Sequence, residues 1–188
     1  MHERAPAAET TPPPRRDWNG VSAVIAALIG LLALLVSGYT AWLQREQVRA
    51  QVWPYIESGF SQSGRHVLMA NKGVGPARIE TVQMFVDGKP YKDWDAIFTA
   101  LGLKFDPAPP YSTVHGIVIS SGAIVQQLAF RDEAQFREFS PLYPRLDIAV
   151  CYCSTLGECW QLDERETDPA LQRRKVDRCT HGAEDFTQ

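Results

Sequence analysis

Residues 21–43 read VSAVIAALIGLLALLVSGYTAWL, a run of 23 residues without a charged side chain. As an α-helix, such a run is about 34 Å long and exceeds the hydrocarbon core of a bilayer, which is about 30 Å thick. Its eleven Val, Ile and Leu residues favour membrane insertion by about 3–7 kcal/mol, before the opposing contribution of the polar residues is subtracted. Trp18 precedes the run, and Tyr39 and Trp42 lie near its other end, where aromatic belts form. The stretch therefore predicts a transmembrane helix.

A cleaved signal peptide is the competing interpretation, with Val36 and Gly38 as a small-residue cleavage signal. The apolar run is longer than the usual signal core of about 7–15 residues, and a long tail comes before it. We therefore expect an uncleaved single-pass anchor that occupies residues 20–52 together with a juxtamembrane extension. Residues 1–19 are rich in proline and cannot build a core, so we expect a disordered tail there.

Small side chains line one side of the anchor helix when the sequence is wound at about 100° per residue. Helices associate in lipid through close backbone approach over small residues. This side predicts a membrane-protein partner or a homo-oligomer, whereas the simpler alternative is a lone helix that is merely rich in Ala and Gly. The predicted packing face consists of Ser22, Ala26, Gly30, Ala33 and Ser37.

The charge balance indicates which other classes of partner the chain can bind. Nineteen basic and 22 acidic residues leave a formal charge of -3. The sequence has no basic stripe of the kind that neutralises a phosphate backbone, so nucleic acid is not expected as a partner. The bilayer is the partner that the sequence predicts directly.

Residues 53–165 predict a mainly β domain. Turn residues separate short apolar or alternating runs, which is typical of an antiparallel β-sandwich. Two short helical insertions are expected, over Trp94–Leu103 after the Asp93 cap and over Asp132–Phe139. Charged residues dominate after residue 165, so residues 166–188 are expected to form a solvated, partly disordered C-terminal tail. The predicted strands are Tyr55–Phe60, His66–Ala70, Ala77–Val86, Thr113–Ile119, Ala123–Phe130, Leu146–Cys153 and Cys159–Leu162.

Residues 71–77 read NKGVGPA and predict a structural turn. Gly73 and Gly75 permit conformations that other residues resist, and Pro76 restricts φ where the next strand begins. Asn71 opens the motif. The functional alternative is a nest of backbone amides that binds an anion, but such a loop needs a following helix or a Lys-Ser pair, and neither is present.

Three motifs carry a resemblance: Trp53-Pro54-Tyr55, the run from Asn71 to Ala77, and Cys151-Tyr152-Cys153-Ser154 with Cys159-Trp160. Together they resemble a group of largely uncharacterised bacterial inner-membrane proteins with one N-terminal helix and an immunoglobulin-like outer domain. The resemblance covers about residues 20–165. It implies an Ig-like fold outside the inner membrane, and it implies no activity and no catalytic residues.

The chain has four cysteines. Cys151 and Cys153 lie two apart on one predicted strand and share a face, and a loop containing Gly157 returns the chain to Cys159 opposite Cys153. Facing residues of an antiparallel pair are close enough for a disulfide, so Cys153–Cys159 is the expected pair and Cys151–Cys179 follows by elimination. A metal site or redox-active thiols are the alternatives, although the spacing matches neither a zinc knuckle nor a Cys-x-x-Cys motif.

Two disulfides suit an extracytoplasmic compartment. Arg4, Arg15 and Arg16 precede the helix, while Arg45 and Arg49 follow it, which weakly favours a cytoplasmic N-terminus. These observations predict that the β domain lies outside the cytoplasm, and the resemblance implies that the membrane is a bacterial inner membrane and the domain periplasmic.

No signature of catalysis, such as Gly-x-Ser-x-Gly, His-Glu-x-x-His or a phosphate loop, occurs in the sequence. We therefore expect no enzymatic activity, no catalytic residues, no cofactor and no resident metal. The leading hypothesis is a membrane-anchored interaction or accessory module. The alternatives are a thiol-redox or metal-handling protein that uses the four cysteines, and a ligand-sensing outer domain of a membrane complex.

Overall fold

A computed structural model describes residues 18–187. The expected Pro-rich tail lies almost entirely outside these residues. Helix α1 spans Trp18–Gln51, and an 18-residue window within it has a mean hydropathy of 2.5. By length and composition this helix can cross a membrane. Its residues after Leu43 are mostly good helix formers, and the helix ends shortly before Pro54, which disfavours helical backbone at the preceding residue.

The chain divides into two compact units, with the boundary between Glu46 and Gln47 inside α1. The second unit contains the β-strands. They are β1 Ile56–Ser61, β2 His66–Asn71, β3 Ala77–Val86, β4 Lys89–Tyr91, β5 Val118–Ile119, β6 Ile124–Ala129, β7 Leu146–Cys153, β8 Cys159–Asp163 and β9 Arg173–Val176.

The strands form two antiparallel sheets. The first has the order β1-β2-β6, and the second has the order β4-β3-β7-β8-β9, with β5 paired to β3. The expectation of antiparallel sheets after a long apolar helix is confirmed. The description of the chain as mainly β is not, because α1 raises the helical share of residues 18–187 to 35%, against 30% for strands.

Alternating side chains of both sheets enter one buried cluster. Along β7, Ile148, Val150 and Tyr152 join this core, whereas Cys151 and Cys153 point to the opposite, outer face of the second sheet. Val67 and Leu128 contribute to the core from the first sheet. The disulfide-forming positions are therefore set by the same alternation that builds the core.

Two short helices flank the core where helical insertions are expected. Helix α2 spans Trp94–Leu101, with Asp93 accepting a hydrogen bond from the Ala96 amide at 2.7 Å. It ends two residues earlier than predicted because Gly102 adopts a left-handed conformation with φ +75°. Helix α3 spans Glu133–Phe139 and leads into a 3₁₀ turn at Ser140–Arg145.

Three sequence expectations about the β domain need correction. The run Thr113–Ile119 forms a strand only at Val118–Ile119, because Gly116 makes a turn with φ +73°. Strand β4 was not expected, and it follows a tight turn in which Asp87 and Gly88 both have positive φ. Strand β9 was also not expected, since its residues Arg173–Val176 are mostly charged.

The C-terminal segment is packed against the domain rather than being a solvated tail. A short helix α4 at Pro169–Gln172 leads into β9, which pairs with β8. Further on, Phe186 is 1% exposed, stacks edge-on against Trp94, and donates its amide to the Val82 carbonyl at 2.7 Å. An isolated aromatic residue near the end of a polar segment gives little sequence signal, although its burial contributes to holding the segment against the domain.

Candidate functional site

The four cysteines form two disulfides on the outer face of the second sheet. Cys153 and Cys159 face each other across β7 and β8, with Cα atoms 4.0 Å apart. Cys151 is bonded to Cys179, with Cα atoms 5.7 Å apart. These are the same two pairs that the sequence argument names. The second disulfide attaches the C-terminal segment to the middle of the sheet.

The two disulfides contact each other. The Sγ atoms of Cys153 and Cys179 are 3.8 Å apart, and the sulfurs of Cys153, Cys159 and Cys179 all lie within 4.8 Å of one another. We call these three sulfurs the sulfur cluster. As thiolates they would be soft ligands of the kind that zinc and Cu(I) prefer, but as disulfides they offer no thiolate.

An open cleft of about 250 Å³ gives access to the sulfur cluster. Cys153 and Cys159 are largely buried, whereas Cys179 is half-buried. The cleft walls carry charges of both signs, and Arg78 is ion-paired with Glu80, so a guanidinium that would favour a thiolate is partly offset by nearby carboxylates. The charged residues that line the cleft are Arg78, Glu80, Asp177 and Arg178.

A smaller polar cavity of about 100 Å³ adjoins the cleft, and Arg178 lines both. It lies between the outer face of the sheet and the C-terminal segment, and it contains one side of the Cys151–Cys179 disulfide. Its other lining residues are Thr81, Gln83, Ala149, Gln161 and Thr180.

A second candidate site is a junction of three chain segments, with Asn71 at its centre. Its side chain is fully buried. The Oδ1 atom accepts from the amides of Tyr55 at 3.1 Å and Gly73 at 3.0 Å, and Nδ2 donates to the carbonyls of Gly75 at 2.8 Å and Ile119 at 2.9 Å. One amide thus joins the start of β1, the loop before β3 and strand β5. We call this arrangement the Asn71 junction.

Gly73 and Gly75 of the run 71–77 are required for a reason that the sequence did not indicate. Neither Gly73 nor Gly75 has a positive φ. Instead, a β-carbon on Gly73 would overlap the Trp53 carbonyl oxygen, and one on Gly75 would overlap the backbone of Val52. The loop therefore needs glycine for close packing against the segment that follows α1.

The anion-binding alternative for this loop does not fit the geometry. The amides of Val74 and Gly75 donate to the Trp53 carbonyl at 3.0 and 3.2 Å, and the amide of Lys72 donates to the Tyr55 carbonyl at 2.7 Å. The Gly73 amide is held by Asn71. Because these four amides have partners within the protein, they do not form an anion nest.

Four exposed apolar side chains lie on the chain segments that meet at the Asn71 junction. Trp53, Val74, Val118 and Ile124 are between 42% and 63% exposed. Their segments are linked by hydrogen bonds, including one from the Ser121 hydroxyl to the Gly73 carbonyl at 2.7 Å. We call these four side chains the junction surface.

The predicted packing face of α1 lies on an exposed helix surface. Gly30 has no neighbouring atom within 4 Å of where a β-carbon would lie. The Ser22 hydroxyl donates to the Asn19 carbonyl at 3.0 Å, so its polar group is satisfied within the helix itself. Ala26, Ala33 and Ser37 are likewise exposed. The continuous helix through these positions keeps their side chains on one side.

A small, partly open pocket that contains polar groups lies between the sheets, and the sequence did not predict it. Strand β6 bulges at Gln127, because Val67 pairs with Leu128 while Leu68 pairs with Gln126. The bulge turns the Gln127 side chain inward, where neither amide atom has a hydrogen-bond partner among the described residues. It lines a water-sized cavity of about 10 Å³ together with Ser58, Tyr143 and Glu164.

Burial dominates the electrostatics of this pocket. It raises the pKa of the Glu164 carboxyl from 4.5 to about 7 and that of the Tyr143 hydroxyl from 10.0 to about 12. The Ser58 hydroxyl hydrogen bonds to both groups and opposes these increases. A polar residue within an alternating run gave no sign of the bulge, so the sequence could not locate this pocket.

No protein-family model, no curated protein and no solved structure matches this chain.

Proposed function

We propose that this protein is a single-pass, membrane-anchored interaction module whose β domain lies in the periplasm of a bacterium. The long apolar helix α1 supports the anchor. The two disulfides support an oxidising compartment. The motifs that resemble the inner-membrane family, and two sheets that share one core, support an immunoglobulin-like sandwich for the domain.

The junction surface is the observation that carries an interaction role. Trp53, Val74, Val118 and Ile124 expose apolar side chains on backbone that is fastened by the Asn71 junction. Exposed apolar groups on a rigid frame are typical of protein contact sites, because little conformational entropy is lost on binding. Trp53 lies ten residues after Leu43, where the apolar run ends, so we expect a partner at this surface to be a membrane protein or a protein near the membrane.

The small-residue side of α1 supports the same kind of partner within the bilayer. Ser22, Ala26 and Gly30 would allow a second helix to approach closely. Either a second copy of the chain or a different membrane protein satisfies this requirement.

Site-specific photo-crosslinking in native membranes tests the proposal. A benzophenone amino acid at Val74 or Ile124 is expected to give a discrete adduct, whereas the same group at Leu156 is the matched control. Leu156 is 50% exposed, which is comparable, but it lies in the loop between β7 and β8. Absence of adducts at positions 74 and 124, or the same pattern at all three positions, would contradict a contact at the junction surface.

A second experiment addresses the helix. The double variant Ala26→Ile, Gly30→Ile should reduce self-association or co-purification, while Leu31→Ile, Leu35→Ile on the opposite side should not. Orientation is measured separately with a C-terminal alkaline phosphatase fusion, which is active only outside the cytoplasm. An inactive fusion that is stably produced would contradict the periplasmic placement.

A thiol-redox or metal-handling role is the second candidate, and the sulfur cluster is the observation that favours it. Replacing Cys153 and Cys159 together with serine separates the two candidates. An interaction module that still folds retains its cross-links at Val74 and Ile124, whereas a thiol-dependent protein loses its cellular role.

A further inference from the structure

Cys179 lies beside two alternative partners on one strand. Its sulfur is bonded to Cys151 and is 3.8 Å from the sulfur of Cys153. Cys151 and Cys153 are two residues apart on β7 and share the outer face of the sheet. The separation of 3.8 Å is close to van der Waals contact, so a Cys153–Cys179 bond requires little movement of the backbone.

The sulfur cluster also borders an open cleft, in which Cys179 is half-buried while Cys159 is 6% and Cys153 2% exposed. Cys153, Cys159 and Cys179 line the cleft of about 250 Å³, whose walls also contain Arg178, Asp177 and the ion pair of Arg78 with Glu80. Thiol–disulfide exchange proceeds through a thiolate, which a nearby guanidinium stabilises. Access, charge and a neighbouring sulfur therefore coincide at one place.

We propose that Cys153, Cys159 and Cys179 form a thiol–disulfide exchange site, which takes two electrons from an external dithiol protein and moves the C-terminal cross-link from Cys151 to Cys153. The electron donor belongs to the class of proteins with a reactive Cys-x-x-Cys dithiol. The proposal rests on the extracytoplasmic placement of the domain and does not require the junction surface.

The first stage is reduction of the Cys153–Cys159 disulfide. A donor thiolate attacks the Cys159 sulfur, the Cys153–Cys159 bond breaks, and Cys153 leaves as a thiolate. The second donor thiolate then attacks the donor's own sulfur in the mixed disulfide, which forms the donor disulfide and releases Cys159 as a thiolate that takes up a proton. The donor loses two electrons, and the Cys153–Cys159 pair gains them.

The second stage is internal exchange. The Cys153 thiolate attacks the Cys179 sulfur, the Cys153–Cys179 bond forms, and the Cys151–Cys179 bond breaks. Cys151 leaves as a thiolate and takes up a proton. No electrons are gained or lost in this stage, and the product has one disulfide with Cys151 and Cys159 as free thiols.

The exchange changes where the C-terminal segment is attached. The cross-link passes from Cys151 to Cys153, whose positions are about 6–7 Å apart along β7. Because the Cys179 sulfur already lies 3.8 Å from that of Cys153, the segment itself shifts much less than this distance. Thr180 and Arg178 line the cavity of about 100 Å³ and flank Cys179 in the chain, so this cavity changes shape with the cross-link. The structure thus couples the redox state of one disulfide to the surface above the other.

The test uses the full chain in detergent micelles. In Cys159→Ser, Cys153 is a free thiol from the start, and we expect a Cys153–Cys179 disulfide in at least about a tenth of the molecules. In Cys151→Ser, the free Cys179 is expected to produce the same bond and release Cys159. The matched control Cys153→Ser cannot form this bond and should retain Cys151–Cys179.

Disulfides are mapped after acid quenching and alkylation of free thiols. Trypsin leaves Cys151, Cys153 and Cys159 on one peptide, because no Lys or Arg lies between Arg145 and Arg165. The alkylated cysteine is therefore located by fragment-ion sequencing. For the wild-type protein, one equivalent of a thioredoxin-like dithiol should yield alkylated Cys151 and Cys159 together with the Cys153–Cys179 bond.

Complete alkylation of Cys153 in Cys159→Ser, with Cys151–Cys179 as the sole disulfide, would overturn the proposal. So would a Cys151→Ser variant that keeps Cys153–Cys159 intact with Cys179 fully alkylated. A circular dichroism melt shows which variants fold, and either variant alone suffices for the test. Because the purified protein is used, this outcome is independent of the fusion and cross-linking results that test the proposed function.

Discussion

The Arg173 guanidinium lies 3.7 Å from the centroid of the Tyr55 ring and donates a hydrogen bond of 2.6 Å to the Tyr55 hydroxyl. Its other terminal nitrogen donates to the Ile56 carbonyl at 2.7 Å. Arg173 begins β9 and Ile56 begins β1, so one side chain joins edge strands of the two sheets. The basic residue that the sequence assigned to a solvated tail is therefore a structural contact.

Replacing Arg173 with alanine should lower the free energy of unfolding by on the order of 2 kcal/mol, because two hydrogen bonds from a charged group and a cation–π contact are lost. Arg173→Lys should recover only part of this, since an ammonium lacks the planar two-nitrogen fork. Urea denaturation of the full chain in micelles measures both. Arg174→Ala is the control, because exposed Arg174 makes one long hydrogen bond, 3.3 Å, to Gln161.

Replacing Asn71 should destabilise the domain more than replacing Arg173 does. Asn71→Ala removes four hydrogen bonds and leaves buried backbone groups of Tyr55, Gly73, Gly75 and Ile119 without partners, which should cost on the order of 3 kcal/mol. Lys72→Ala alters the exposed neighbour and should have little effect. Equal melting temperatures for the two variants would show that Asn71 does not hold the segments together.

Gly75→Ala tests close packing. A β-carbon there overlaps the Val52 backbone, so the loop must move away and the domain should lose about 1–3 kcal/mol of stability. Gly59→Ala is a matched control, because the added carbon would lie 3.6 Å from the Leu68 side chain, an ordinary contact. Hydrogen exchange at Val74 and Gly75 should rise in the first variant only, since their amides donate to Trp53. Unchanged protection would argue against this packing role.

Glu164 predicts a pH dependence of stability. Burial raises the pKa of its carboxyl from 4.5 to about 7, so the folded state holds the proton more tightly than the unfolded state does. This contribution is fully present below about pH 4.5 and is lost as the pH rises through about 7. The free energy of unfolding should therefore fall by on the order of 2 kcal/mol between pH 5 and pH 8.

Glu164→Gln should remove this part of the pH dependence and raise stability at pH 8 relative to the wild type. The carboxylates of Asp147 and Asp163 also raise the pKa of Glu164, and they remain in the variant. Glu138→Gln, at an exposed position on α3, is the control. If Glu164→Gln had the same pH profile as the wild type, the burial of the carboxyl would not be the cause.

Short-range sequence patterns were enough to predict several structural features. Asp93 caps α2 as expected, because an N-cap depends on residues within one turn of each other. The Cys153–Cys159 pairing also follows from local geometry, since a short loop sets the register of β7 against β8. By contrast, the strand expected from Thr113 is mostly absent, because a turn at Gly116 interrupts an apolar run that otherwise reads as β.

The candidate sites also combine residues that the sequence indicated with contacts that it did not. Asn71, Gly73 and Gly75 stood out by composition, but their role depends on contacts with Val52, Trp53 and Ile119, which no spacing rule provides. Gln127 gave no signal, because a bulge is a property of two paired strands and not of one. The proximity of Cys179 to Cys153 likewise depends on the path of the C-terminal segment across the sheet.

The apolar helix, the alternation of the strands and the even number of cysteines follow from the amino-acid sequence alone, because they depend on composition and on neighbours within a few residues. Tertiary structure decided which sulfurs lie in contact, why the motif needs glycine, and that Arg173 and Phe186 secure the C-terminal segment. These features join residues that are distant in the chain. They exist only once the registers of both sheets are set and the shared core is buried.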